Sequence, residues 1–132
     1  MMLVKALMVG AFFLGCAPAM HRAGPMIRSG DVQLVVTNDG WLDQVIYTYY
    51  LGQKNRIGTI TGLSTGVLRI PSRLIGPDNT VQLLAHPIGG DTDFVTDVVT
   101  LGSDDHPELT INPALNSAFL AVLPNKSPDD QP

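Results

Sequence analysis

Hydrolysis by a side-chain nucleophile needs a Ser or Thr activated by His, with a carboxylate holding the imidazole in place. Ser64 and Thr65 supply hydroxyls, His86 and His106 supply imidazoles, and Asp91, Asp97 and Asp104 supply carboxylates. The hydroxyls fall in a turn without the pattern of a nucleophile elbow, and no spacing requires the three types to meet. No catalytic residue is assigned, and a small hydrolase ranks last among the functions considered. A metal site could draw on His86, Asp91, Asp93, Asp104, Asp105, His106 and Glu108. Hard cations want several oxygens converging from one loop. Asp91-Thr92-Asp93 and Asp104-Asp105 offer only the start of such a set, without the glycine and distal Glu of an EF-hand. Two histidines from separate loops do not make a zinc site. No metal or cofactor is expected.

The aromatic side chains form the remaining group. Trp41, Tyr47, Tyr49 and Tyr50 lie within ten positions of each other. Rings of this kind stack on sugars, and they also anchor protein interfaces because they bury a large area and keep a polar tip. Tyr47 and Tyr49 alternate with the apolar residues Val45 and Leu51, so core packing accounts for them. Trp41, in a loop, and Tyr50, on the opposite strand face, are the candidate surface anchors.

These residues sit on a chain of 132 residues with 12 acidic and 8 basic side chains, a formal net charge of −4 and one cysteine. Apart from Lys5, the cations Arg22, Arg28, Lys54, Arg56, Arg69, Arg73 and Lys126 are scattered, whereas phosphate binding needs them clustered. Nucleic acid is therefore excluded as the expected partner. A lone cysteine leaves no internal disulfide, so stability must come from the apolar core.

That cysteine has a particular place. Lys5 is followed by the apolar run Ala6–Leu14 and by small residues at 15, 17 and 19, the layout of an export signal. The run is shorter than the roughly 20 apolar residues that a spanning helix needs. Phe12-Phe13-Leu14-Gly15-Cys16 resembles the lipobox of bacterial lipoproteins, with Phe13 standing where that family most often has Leu. The resemblance covers the signal alone. It implies a diacylglyceryl group on the Cys16 thiol, cleavage before Cys16, and a membrane anchor of two or more acyl chains, enough for stable retention. Alanine rather than aspartate at 17 resembles the sorting pattern for the outer membrane in a two-membrane cell. Ala17-Pro18-Ala19 also fits an ordinary signal-peptidase site, and cleavage there would discard Cys16 and release the domain.

Residues 1–15 are thus read as a signal, 16–30 as a flexible tether rich in Gly and Pro, 31–123 as one domain, and 124–132 as a disordered tail. Within the domain, short β-branched runs recur about every dozen residues between turn signals, the pattern of a small sandwich or barrel. Val32, Leu34 and Val36 give a first strand with one apolar face. Gln44–Leu51 is a central second strand covered on both faces, joined through a turn at 52–55 to Arg56–Thr61. Val67–Ile70, before Pro71, is an edge or strand end. Thr80–His86, Phe94–Leu101 and Glu108–Ile111 follow. Ser117–Leu123 reads as a closing strand, although Pro113, Leu115, Phe119 and Val122 also fit a helix start and spacing. The expected fold is all-β: one Ig-like or prealbumin-like sandwich of about six to eight antiparallel strands. The expected function is a lipid-anchored, non-enzymatic envelope module that binds another envelope protein by edge-strand addition or through Trp41 and Tyr50. The alternative is a glycan-binding module using the same aromatics. The sequence leaves the oligomeric state open.

Overall fold

A computed structural model describes residues 30–124. The predicted signal, Cys16 and all but the last residue of the predicted tether lie outside them, as does the tail beyond 124. The described chain is all-β. Its strands are β1 (Val32–Asn38), β2 (Gln44–Tyr50), β3 (Gln53–Ile60), β4 (Ser64–Ile70), β5 (Thr80–Val81), β6 (Leu83–Pro87), β7 (Phe94–Val95), β8 (Val99–Thr100), β9 (His106–Asn112) and β10 (Ser117–Leu123). Sheet A has the order β10-β9-β1-β4 and sheet B the order β3-β2-β6-β7, with β5 and β8 forming a separate two-stranded ribbon. The two four-stranded sheets make a small β-sandwich.

The period of two along each strand determines what lies between the sheets. In β1, Val32, Leu34 and Val36 point inward and are buried. Their cross-strand partners Ile70, Leu68 and Gly66 on β4 share that face, as do Leu109 and Ile111 on β9 and Leu120 on β10. Sheet B contributes Ile46, Ile60, Leu83, Ala85 and Phe94. Gly58 has a steric reason: a Cβ there would lie 2.5 Å from Leu68 Cδ2, so the glycine on β3 makes room for a leucine from the other sheet. Opposite Ile46 and Tyr47 the register shifts, which leaves Ile57 as the extra residue of a bulge in β3.

Several sequence expectations hold and others are revised. Ser117–Leu123 is a strand. Val67–Ile70 belongs to β4, an edge of sheet A. The first hairpin turns earlier than expected: Tyr50 pairs with Gln53, and Leu51 and Gly52 alone make the turn, both at positive φ (47° and 79°). This is the backbone twist that suits a two-residue hairpin loop. Leu51 is therefore an exposed turn residue, not the end of a strand face. In β2 the buried face belongs to Gln44, Ile46 and Thr48, while Tyr47 and Tyr49 are half-buried on the outer face. Core packing therefore does not account for the two tyrosines, and the strand is central without being fully covered on both sides.

The strand count exceeds the expected six to eight because two predicted strands are each broken. Thr80–His86 divides at Gln82, and Phe94–Leu101 divides around Thr96. Thr96 is buried and its Oγ1 accepts the Leu83 backbone N–H at 3.0 Å, while Gln82 Nε2 donates to the Thr96 carbonyl at 2.8 Å. Side chains here take over bonds that a regular ladder would make. One pairing departs from the antiparallel expectation: β1 and β9 run parallel, with Val36 opposite Leu109.

Ile46 is fully buried and Val67 is 63% exposed. Ile46→Ala is expected to lower stability by about 2–5 kcal/mol through the cavity it leaves, and Val67→Ala by less than about 0.5 kcal/mol. Urea unfolding of the two variants beside the parent chain checks this.

Candidate functional site

The residue types that nucleophilic hydrolysis would need are not brought together as a set. His86 is on β6 of sheet B and His106 on β9 of sheet A. Ser64 Oγ donates to the Thr61 carbonyl at 2.7 Å, and Thr65 Oγ1 lies 3.1 Å from Thr37 Oγ1, so both hydroxyls are engaged in turn and cross-strand bonds. Asp104 and Asp105 are engaged as well. Asp105 accepts the Gly102 N–H within its turn, and Ser103 Oγ donates to Asp104. Among the described residues no group of three or more His, Cys, Asp or Glu side chains converges as a metal site would require.

Asp93 is instead the hub of a polar bridge across the outer face of sheet B. One carboxylate oxygen lies 2.8 Å from Lys54 Nζ and the other 2.6 Å from His86 Nδ1. Lys54 is the cross-strand partner of Tyr49 on β3, and His86 that of Val45 on β6. The bridge therefore runs over the face that carries Tyr47 and Tyr49. The hydrogen bond from Lys54, followed by the one from His86, holds the Asp93 carboxyl below the usual carboxylate range. The same Asp93 contact raises the Lys54 ammonium above its usual range.

Trp41 and Tyr50 are both on the surface but at opposite ends of β2. Six residue steps of strand, about 20 Å, separate Gln44 from Tyr50, with Trp41 beyond the first of these. They cannot line one site. Tyr50 is 49% exposed and borders a shallow cleft of about 230 Å³ with Leu51, Leu74, Gly76 and Val98.

The Trp41 end is built differently. Asn38, the last residue of β1, is buried, and its carboxamide ties the β1–β2 loop to the β3–β4 loop. Nδ2 donates to the carbonyls of Leu42 (2.8 Å) and Thr61 (3.2 Å), and Oδ1 accepts the Gly40 N–H (3.0 Å). The Leu63 N–H reaches the Gly40 carbonyl at 2.8 Å, the Ile88 N–H reaches the Asp43 carbonyl at 2.8 Å, and Asp43 Oδ1 accepts the Gly62 N–H at 2.9 Å. Gly62 lies so close to the Trp41 backbone that a Cβ there would fall within contact distance of the Trp41 carbonyl. The β1–β2, β3–β4 and β6–β7 loops are thus fastened to one another through backbone groups.

This fastening leaves Trp41 85% exposed, with Leu42, Leu63 and Ile88 also exposed around it. Beside the indole is an open groove of about 380 Å³, bordered by Leu42, Pro87, Phe94 and Pro113, with Gln44 among its lining residues. Gln44 is 1% exposed, and its Oε1 accepts no hydrogen bond from any described residue. Sequence reasoning found Trp41 and named Asp93 and His86 only as metal-ligand candidates, and it missed Asn38 and Gln44. Asn38-Asp39-Gly40 reads simply as a strand end, and only the fold shows that its first residue binds a second loop.

No protein-family model matches the chain, and no curated protein matches it. The site must therefore be judged on its own geometry. A ring held out in water by a loop with its backbone bonds satisfied contributes little to the core, whereas the loop beneath it contributes much.

Asn38→Ala is expected to destabilise the chain by about 2–3 kcal/mol, because it leaves buried backbone groups unpaired. Trp41→Ala should stay within about 0.5 kcal/mol of the parent; urea unfolding measures both. The Asp93 bridge predicts a pH dependence. Because the folded carboxyl is depressed, its stabilising effect is full above the unfolded carboxyl range and disappears as pH falls through the folded value. The raised Lys54 acts in the opposite sense, its effect being lost as pH rises through the folded lysine value. Asp93→Asn should flatten the fall in melting temperature between about pH 5 and pH 2 and have less effect near neutrality.

Proposed function

We propose that the chain is an envelope lipoprotein, anchored through Cys16, whose sandwich domain binds another envelope protein through the end that carries Trp41. The observation that carries this reading is the mounting of Trp41: a large aromatic exposed on a loop that six hydrogen bonds and a glycine contact keep in place. Interfaces draw most of their affinity from a few aromatic anchors set among apolar neighbours. A pre-organised anchor also avoids the entropy loss of ordering a loop on binding. Leu42 shares the groove with the indole, and the exposed Leu63 and Ile88 bond through their backbones to the loop that carries it; this aliphatic setting suits a protein surface better than a sugar. The groove beside Trp41 would take an apolar side chain of the partner. Tyr50, at the far end, has no part in this contact. The anchor rests on the lipobox resemblance, and the mildly acidic chain fits a protein partner better than nucleic acid.

Crosslinking in intact cells tests both halves, with capture of the tagged full chain and mass spectrometry of its N-terminus and its companions. The expected result is a diacylglyceryl-modified Cys16 and one dominant companion. Trp41→Ala should weaken that companion's recovery by about 30-fold, the loss of an interface hot spot, while Tyr50→Ala leaves it unchanged. A companion indifferent to Trp41→Ala would refute the assigned surface. Retention of the parent chain, but not of Trp41→Ala, on insoluble cell-wall glycan would move the assignment to a carbohydrate ligand.

A further inference from the structure

Sheets in soluble proteins protect their edges, because an unpaired edge strand is a template for another strand. The edges here are unequally protected. On sheet B, β3 carries Lys54 and Arg56, and β7 has only two residues. On sheet A, β4 carries Arg69. The fourth edge, β10, is Ser-Ala-Phe-Leu-Ala-Val-Leu: seven residues with no charge, no proline and no bulge in its pairing with β9. Among the described residues no strand pairs with its outer side, and Phe119 on its outer face is 66% exposed.

We infer that β10 is a homodimer interface, in which two copies of this chain pair their β10 strands antiparallel and join the two A sheets into one eight-stranded sheet. The residues of β10 favour a second copy over an unrelated strand. Antiparallel partners that continue a sheet must share a face, so a two-fold axis must pass through a residue position, not between two. An axis at Leu120 aligns all seven residues. It places Ser117 opposite Leu123, Ala118 opposite Val122 and Phe119 opposite Ala121, each pair one small and one large side chain, with Leu120 meeting its own copy. An axis at Phe119 would set two phenylalanines directly opposite and shorten the overlap; one at Ala121 would set Phe119 against Leu123. Charge gives the same preference. Self-pairing of β3 or β4 would bring cations of one kind toward each other, which is unfavourable across strands, whereas β10 has none. β10 starts beside the Trp41 groove, Ser117 pairing with Asn112 next to the groove residue Pro113, and runs away from that pole; self-association of the purified chain is measured without the proposed partner.

The experiment uses the full chain with Cys16→Ala in a mild detergent, which removes the only native cysteine. Sedimentation equilibrium should show a dimer, and Phe119→Lys should weaken association at least tenfold. Phe119 is exposed, so the lysine should not disturb folding. Two differently tagged copies, one with Phe119→Cys and the other with Ala121→Cys, should form a mixed disulfide under mild oxidation, since directly opposed residues lie within disulfide reach. Val67→Cys on the charged β4 edge, mixed with either, should not. A chain that stays monomeric at ~100 µM, a dimer that Phe119→Lys leaves intact, or a β10 pair that links no faster than the Val67→Cys control would overturn the inference.

Discussion

The Asn38 carboxamide is the contact on which the arrangement of the Trp41 end depends. It ends β1, and in the same place it receives the Gly40 N–H and donates to Leu42 and Thr61. A buried amide with these partners is costly to misplace, because each unmet group inside a protein is penalised in full. The bond to Thr61 fastens the end of β3 to the start of the β1–β2 loop. Sheet A and sheet B thereby meet at one pole through hydrogen bonds as well as through the core. The position of Trp41 follows from this, since its backbone lies against Gly62, the residue after Thr61.

Much of the architecture is readable from residue pattern alone. Alternation from Val32 and the run Gln44–Leu51 give strands, although the second ends one residue early and its partner begins at Gln53. Face assignments are harder where both faces of a strand carry large side chains. In β2, Val45, Tyr47 and Tyr49 are as bulky as Ile46, and only pairing with β3 and β6 shows which set turns inward. Gln44 misleads for the same reason: an amide at a strand start looks solvated, yet the loops around it bury it. The break at Thr96 leaves no local mark, because a threonine that replaces ladder bonds is an ordinary strand residue until its partners are known. The parallel pairing of β1 with β9 is likewise invisible in sequence, for it depends on the path of the intervening chain.

The candidate anchors show a similar limit. Trp41 and Tyr50 lie nine positions apart, and sequence distance alone would allow one site. Strand geometry forbids it, since an extended segment separates its ends as far as any element can. The tyrosines taken for core instead lie on the outer face of sheet B, the face that carries the Lys54–Asp93–His86 bridge. The surface of this domain is therefore divided by chemistry: an apolar crown at one pole, an ionic bridge across one sheet face, and an uncharged strand along one edge.

The parallel β1–β9 pair has a consequence for the order in which the domain forms. β1 is the first strand of the domain made and β9 the last but one, so one side of β1 stays without its ladder partner until Asn112 is available. Contacts so distant along the chain close slowly, because the entropy of a long loop is lost before any bond rewards it. A chain growing from its N-terminus can form the β2–β3 hairpin early, but it cannot complete sheet A until nearly all of the domain has been synthesised. The strand that begins the sandwich waits for the ones that close it, and one side of β1 stays unpaired for most of the domain's synthesis.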